Sequence, residues 1–190
     1  LDILKEKVRE GVEVRFMYDG MCAISMLPYN YPEQIARYGI KCKMANSVKP
    51  FLSTTQNNRD HRKICVIDGK VGYTGGINLG DEYINQKERF GHWKDTAVML
   101  KGDAVWSMTM MFLHMWNVVN GIQTPIDYAA HSPHAYHPEE FEGSGFVQPF
   151  TDTPLDGETL GENVYLNIIN RAKRYVYICT PYLIIDNEMM

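Results

Sequence analysis

The sequence lacks several features that would place it in a common class of protein. Its 190 residues carry a net charge of −4, so no overall positive field attracts nucleic acid or anionic lipid. No apolar run approaches the ~18 residues of a membrane-spanning helix. The four cysteines form no Cys-x-x-Cys pair, which argues against a zinc site or a dense disulfide framework. Reduced, mostly buried thiols on the cytoplasmic side are therefore favoured.

The chain contains enough apolar residues, 45%, for a hydrophobic core. It begins at Leu1 inside an amphipathic pattern, so we expect it to be part of a longer protein. Helices are predicted over 1–10 and 32–38, each ended by a glycine, and strands over 12–18 and 40–45. This alternation is typical of an α/β sheet with parallel pairs.

Further strands are predicted over 63–67, 71–74, 96–100 and 175–180, and further helices over 103–120 and 161–173. Asp68-Gly69 predicts a hairpin turn, and Asp19-Gly20 predicts a turn after the 12–18 strand. The loop 75–91 has room for one helical turn. The methionine-rich helix over 103–120 could face a membrane, but its spacing and composition favour packing in the core.

Residues 121–143 are predicted to form a linker, because prolines recur through them. His131, His134 and His137 are spaced three apart there, which raises the possibility of a metal site. The interleaved prolines prevent a regular helix from aligning these imidazoles, so no metal site is expected.

One motif carries most of the chemical information in the chain. His61 and Lys63 are followed by Asp68, and then by Gly75-Gly76-Ile77-Asn78. If His61 and Lys63 lie on a strand, their side chains project to the same face. An imidazole beside an ammonium group favours an anion between them, such as a phosphate.

The other members of the motif complete a phosphate site without a metal ion. The Gly75-Gly76 pair would let backbone amides approach a phosphate, and the Asn78 carboxamide would donate to its oxygen. Asp68 is expected to fix the hairpin turn and loop through hydrogen bonds rather than to transfer a proton. Asp95 could accept a hydrogen bond from the second nitrogen of His61 and thereby fix its tautomer.

These residues resemble the signature of the phospholipase D superfamily, with every position matched. The segments 57–63, 75–83 and 93–95 are most similar to bacterial cardiolipin synthases, and 12–20 and 180–182 fit that branch as well. The resemblance implies an α/β fold with a mixed β-sheet flanked by helices, as one half of a two-repeat fold. It divides the chain into a first half at 1–120 that lacks its first strand, a linker at 121–143, and the start of the second half at 144–190.

The resemblance also implies a phosphatidyl transfer through a phosphohistidine, with no cofactor. Phosphatidylglycerol would be both donor and acceptor, and the products would be cardiolipin and glycerol. His61 would be the covalent nucleophile or its acid/base partner, Lys63 and Asn78 would bind phosphate, and Asp95 would orient His61. Asp68 would be the motif aspartate.

The chain contains only one full copy of this motif. The second histidine would come from another half of the parent protein or from a homodimer mate, and the parent would act at the cytoplasmic side of the cell membrane. We expect the isolated chain to be soluble and inactive or weakly active. The alternatives are a homodimeric phosphodiesterase or nuclease, against which the acidic charge balance argues, and a non-catalytic phosphate-binding fragment.

Overall fold

The computed structural model describes residues 1–46, 60–89, 91–119, 125–132, 143, 145–153, 156–180 and 185. The chain divides into two compact units, Leu1–Pro149 and Phe150–Met190. The first unit contains the motif and every strand of the described residues. The division into two repeat halves joined by a linker stays a prediction.

Two parallel strands form the first sheet. The elements in this part are α1 (Asp2–Arg9), β1 (Arg15–Asp19), α2 (Gly20–Ala23), α3 (Tyr31–Ala36) and β2 (Lys41–Ala45). β1 and β2 pair in parallel, with Asp19 opposite Ala45. The crossover through α3 buries Ile35 and Ile40 almost completely. The predicted parallel pair is therefore confirmed, and the carboxyl ends of both strands lie at the same edge of this sheet.

Three antiparallel strands form the second sheet, in the order β3 (Ile64–Ile67), β4 (Val71–Gly75) and β5 (Ala97–Lys101). The turn between β3 and β4 places Asp68 at φ 53° and Gly69 at φ 63°. Asp-Gly tolerates this left-handed pair of conformations, which matches the twist of a hairpin. The predicted hairpin is confirmed. The loop between β4 and β5 contains one 3-10 turn, Asp81–Ile84, as predicted.

Helix α4 (Ala104–Val118) packs on the second sheet and supplies much of the core. Its side chains Val105, Met108 and Leu113 are buried. Gly72 of β4 faces this helix, because a Cβ at that position would lie 2.8 Å from the sulfur of Met108. The methionine-rich helix is thus a core helix, as predicted. No helix of the described residues has the length and apolar content needed to cross a bilayer.

The fold is α/β, with parallel and antiparallel strands flanked by helices, as expected. Among the described residues, these strands form two sheets rather than one mixed sheet. The second unit contains α5 (Leu160–Arg171), which confirms the helix predicted there. In the predicted linker, a 3-10 turn covers Ala129–His131, whereas His134 and His137 lie outside the described residues.

Three predictions near strand ends are wrong. The strand predicted to start at residue 12 begins at Arg15. β3 begins at Ile64, so His61 and Lys63 precede the strand instead of lying on it. The Asp60 carboxylate accepts the Arg62 amide (3.1 Å), and this local hydrogen bond competes with strand pairing. Asp19-Gly20 is not a turn but the junction of β1 and α2, because the Asp19 carboxylate accepts the Met21 amide (3.0 Å) at the start of that helix.

The segment 175–180 does not form the predicted strand. It has no regular secondary structure, and all six residues are exposed. A strand requires a neighbour for its backbone hydrogen bonds, and neither sheet of the described residues includes this segment. The prediction that it fills the sheet position before Leu1 is therefore wrong for this structure.

The cysteines are less buried than predicted. Of the three whose side chains the structure describes, Cys65 and Cys179 are exposed and only Cys42 is half-buried. All three are free thiols, as expected. Burial raises the pKa of the Cys42 thiol to about 11, so this group is protonated at neutral pH.

The contact between α4 and the second sheet can be tested with a pair of valines. Val105 is 0% exposed, whereas Val118 at the other end of α4 is 58% exposed. We expect Val105→Ala to lower the free energy of unfolding by about 2 kcal/mol, because two buried methyl groups are lost and a cavity is left. Val118→Ala should change it by less than about 0.5 kcal/mol. Urea denaturation measures both; equal effects would contradict the proposed core.

Candidate active site

The register of the second sheet gathers most of the motif at one end. Ile64 of β3 lies opposite Thr74 of β4, and Gly75 of β4 lies opposite Ala97 of β5. The residues that adjoin these pairs therefore lie at the same end of the sheet. They are His61, Lys63, Gly76, Asn78 and Asp95.

Asp68 lies at the opposite end of the hairpin. Five residues of extended chain separate it from Lys63, which corresponds to about 16 Å. Its carboxylate is exposed and accepts no hydrogen bond from a described residue. The hydrogen bonds expected of the Asp68 side chain are thus not found among the described residues. Asp68 forms the turn through its left-handed backbone and lies apart from the other motif residues.

His61 and Lys63 lie together just before β3. The Lys63 ammonium donates a hydrogen bond of 2.7 Å to the carbonyl oxygen of His61. The His61 side chain is exposed, and Lys63 is half-buried. The structure thus places the Lys63 ammonium against the backbone of His61, and the predicted approach of the two side chains to one anion stays a prediction.

Asp60 and Arg62 form a bidentate ion pair that brackets His61. The Arg62 guanidinium donates bonds of 2.9 and 2.7 Å to the two oxygens of Asp60. Burial acts to raise the pKa of the Asp60 carboxyl, but hydrogen bonds from Arg62 and the charges of Arg62 and Lys63 outweigh it, so the pKa lies below its usual value. The hydrogen bond with Asp60 in turn raises the pKa of Arg62.

Asp19 connects this segment to the carboxyl edge of the first sheet. Its Oδ2 atom accepts hydrogen bonds from the Asn46 carboxamide (3.0 Å) and from the Asp60 amide (3.3 Å). Asp19 and Asp60 also line a cavity of about 80 Å³, whose other walls are largely apolar side chains such as Met111 and Phe112. The residues before β3 are thus held against both sheets of the first unit.

The two glycines of the motif pack closely against β5 and the residues just before it, which leaves no room for a side chain. A Cβ at Gly75 would lie 2.5 Å from the carbonyl oxygen of Thr96, and a Cβ at Gly76 would lie 2.6 Å from Oδ1 of Asp95. The Gly76 amide donates to the Thr96 carbonyl (3.2 Å). The expectation that this amide binds phosphate is therefore not supported, because the strand pairing already uses it.

Asp95 is held by its own neighbours. Its Oδ2 atom accepts the indole N–H of Trp93 (3.1 Å), and its Oδ1 atom accepts the amide of Thr96 (2.8 Å). Neither oxygen accepts a hydrogen bond from His61 in this structure. The role of Asp95 in orienting His61 stays a prediction.

Trp93 is fixed in turn by the loop that follows β4. Tyr83 meets the Trp93 ring edge to face at 5.1 Å. The Asn85 carboxamide bonds to both the amide and the carbonyl of Trp93, at 2.6 and 2.8 Å. The sequence predicted no role for Asn85, and Tyr83 was noted only as the last residue of the segment 75–83. The left-handed φ of 59° at Asn85 suits an asparagine at the end of a turn. These contacts close the loop and fix the Trp93 indole, which in turn donates to Asp95.

Asn78 is half-buried and lies three residues beyond the end of β4. Its carboxamide makes no hydrogen bond to the part of the chain that the structure describes, and binding of phosphate by this group stays a prediction.

The same loop contains His92-Trp93-Lys94, a second His-x-Lys pair. The aspartate of the motif has no counterpart there, since Met99 occupies the corresponding position. No cluster of metal-binding side chains occurs within the described residues.

The contact between Gly76 and Asp95 can be tested with alanine. Gly76→Ala should lower the free energy of unfolding by about 1–3 kcal/mol, because the new methyl group displaces the Asp95 carboxylate. Gly143→Ala is the matched control, since a Cβ at that position meets nothing within 4 Å. Urea denaturation of both variants measures the effect, and equal stability of the two would contradict the close contact.

The ion pair of Asp60 predicts a dependence of stability on pH. The folded-state pKa of Asp60 lies below its unfolded value of 3.8, so the ionised carboxylate stabilises the protein above about pH 4 and this contribution is lost as the pH falls through the folded-state pKa. Asp60→Asn should therefore destabilise most at neutral pH, and the difference from the unmodified protein should shrink toward pH 3. Urea denaturation across this range measures it; a constant difference would contradict the role of the charge.

Comparison with known proteins gives a consistent result. The family model described as "Cardiolipin synthase, PLD-like domain" matches residues 1–116. All of the chain aligns at 54% identity with 40% of an uncharacterized protein of Streptococcus mutans. It aligns at 37% identity with 37% of a cardiolipin synthase of Alkalihalophilus pseudofirmus, and 99% of it aligns at 37% identity with 37% of one from Geobacillus kaustophilus.

The chain thus spans about two fifths of the length of the curated relatives that it matches. No solved structure gives a significant match. The matched family model covers His61, Lys63, Asn78 and Asp95, together with both sheets of the first unit. The chain belongs to the cardiolipin synthase family of phospholipase D-like domains.

Proposed function

We propose that the protein containing this chain is a phosphatidyltransferase that forms cardiolipin from two molecules of phosphatidylglycerol, and that this chain contributes one half of the active site. One observation carries most of the proposal. His61 is exposed, and the ammonium group of the neighbouring Lys63 donates to its carbonyl oxygen, at the end of the sheet where Asn78 also lies. This arrangement suits a phosphate anion, and the names of the relatives at 37% identity favour a phospholipid as its source.

The reaction proceeds in two displacements on the same phosphorus. If His61 is the nucleophile, its ring nitrogen forms a bond to phosphorus, and the bond to the glycerol oxygen breaks. The leaving glycerol oxygen takes a proton from a second histidine. The hydroxyl of another phosphatidylglycerol then gives its proton to that histidine and attacks phosphorus, which breaks the phosphorus–nitrogen bond and releases cardiolipin. If His61 is the acid/base partner, the two histidines exchange these roles.

Lys63 and Asn78 stabilise the charge that develops on the phosphoryl oxygens. Lys63 supplies a positive charge and Asn78 supplies a neutral donor, so this half of the site needs no metal ion. To reach a phosphate, the Lys63 ammonium must share or exchange its hydrogen bond to the His61 carbonyl. Either change requires only a small movement of the long Lys63 side chain.

The second histidine comes from outside the first motif, either from another half of the same protein or from a homodimer mate. A phospholipid substrate implies a reaction at a membrane surface, and the proposed location is the cytoplasmic side. Leu79, one residue beyond Asn78, is 90% exposed, and Ile84 in the same loop is also exposed. Such apolar side chains are compatible with contact with a lipid surface beside the phosphate site.

The experiment uses the full-length protein that contains this sequence, with vesicles of phosphatidylglycerol. The unmodified protein should release glycerol and form cardiolipin. His61→Gln should reduce the rate by at least about 10³-fold, because it removes the nucleophile or the proton carrier. His114→Gln is the matched control: His114 is exposed on α4, and its replacement should leave the rate within about twofold.

The other outcomes decide between the alternatives. Absence of cardiolipin and glycerol with the unmodified protein would overturn the synthase proposal, and cleavage of single-stranded DNA would then favour a phosphodiesterase or nuclease. Full activity of His61→Gln would overturn the assignment of the site. Light scattering of the isolated 190-residue chain tests a site shared between two copies, since a purely monomeric chain should be inactive.

A further inference from the structure

We propose that Asp19 is a positioning residue for His61, and that it acts through Asp60. This inference rests on the proposed function, because it concerns the same histidine. Asp19 lies at the end of β1, in a different sheet from the motif and 42 residues before His61 in the sequence. No part of the phosphate-binding motif includes it.

The first step is the hydrogen bond between the Asp60 amide and the Asp19 carboxylate, at 3.3 Å. This bond fixes the backbone directly before His61. The Asp60 side chain then folds forward over His61 and accepts the Arg62 amide at 3.1 Å. The backbone on both sides of the histidine is therefore tied to one carboxylate pair.

The second step is the rigidity of Asp60 itself. Two side-chain bonds from Arg62 fix the plane of its carboxylate, and the pair is only partly exposed to solvent. A bidentate arginine–carboxylate pair has one preferred geometry, so it resists rotation more than a single hydrogen bond does. Because Asp60 is rigid, the position of Asp19 determines the position of the backbone at His61.

The third step is the rigidity of Asp19. Its Oδ1 atom accepts the Met21 amide at the start of α2, and its Oδ2 atom also accepts the Asn46 carboxamide at the end of β2. Both partners follow strands of the parallel sheet, whose carboxyl edge is thereby joined to the segment before β3. An attacking group that is misplaced by about 1 Å can lose about 10²-fold in rate.

The test compares Asp19→Asn with two controls in the full-length protein. An asparagine has one acceptor oxygen, so Asp19→Asn cannot satisfy Met21, Asn46 and Asp60 together. We expect kcat for cardiolipin formation to fall by about 10–100-fold while KM for phosphatidylglycerol changes by less than about threefold. A merely structural role would lower the melting temperature but leave kcat of the folded protein unchanged.

Asn46→Gly distinguishes the contact of Asp19 with Asn46 from its contact with Asp60. Asn46 has a φ of 51°, which glycine adopts without strain, so this variant removes only the Asn46 bond to Asp19. It should lower kcat by no more than about threefold. Asp103→Asn is the remote control, because Asp103 makes no side-chain cap bond at the start of α4, and its kcat should be unchanged. An equal loss in Asn46→Gly and Asp19→Asn would overturn the route through Asp60.

A second measurement does not depend on catalysis. Hydrogen exchange of the Asp60 and Arg62 amides should be at least tenfold faster in Asp19→Asn, whereas exchange of the Lys70 amide in the hairpin turn should be unchanged. If the unmodified protein forms no cardiolipin, the proposed function fails and this measurement still tests the positioning role. Unchanged exchange at both amides, or unchanged kcat in an active protein, would overturn the inference.

Discussion

The register of the second sheet is the constraint on which the site depends. Because Ile64 lies opposite Thr74, the chain enters β3 where it leaves β4, and the approach to β5 lies at the same end. The Asp-Gly turn sets this register, since its two left-handed residues permit a tight hairpin. A shift of one residue would move His61 away from Asn78 and reverse the faces of β3, so that the packing of the sheet on α4 would be lost.

Two separate networks hold the two sides of this end. On the side of β3, contacts run from Asp19 through Asp60 to Arg62 and enclose His61. On the side of β5, contacts run from Asn85 through Trp93 to Asp95 and reach Gly76. The first network includes the backbone amides of Asp60 and Arg62, and the second includes those of Trp93 and Thr96. These hydrogen bonds hold the loops beside the motif, while His61 itself is exposed.

The sequence could predict the hairpin, the core helix α4 and the motif, because each depends on neighbours along the chain. It could not predict that Arg62 pairs with Asp60 or that the Gly76 amide donates to Thr96. Strand alternation placed Arg62 on the opposite face from His61, but in the structure β3 begins only at Ile64 and Arg62 bonds back to Asp60. Gly76 was expected to serve a phosphate, yet its missing side chain makes room for Asp95 from a distant part of the chain. Contacts of this kind depend on tertiary packing, which a local pattern does not contain. Asp19 could have been suspected, since polar residues at the carboxyl ends of parallel strands often lie at functional sites.

The pairing of the acidic groups is compatible with the phosphate binding that is proposed for this acidic chain. Asp60 is neutralised by Arg62, and its lowered pKa records that compensation. Asp95 directs its oxygens to an indole and an amide, and Asp68 lies at the far end of the hairpin. The carboxylates near His61 and Lys63 are thus each engaged by donors, which reduces their repulsion of a phosphate. Overall charge is consequently a poor guide to this site, because the carboxylates nearest to the motif are already paired with donors.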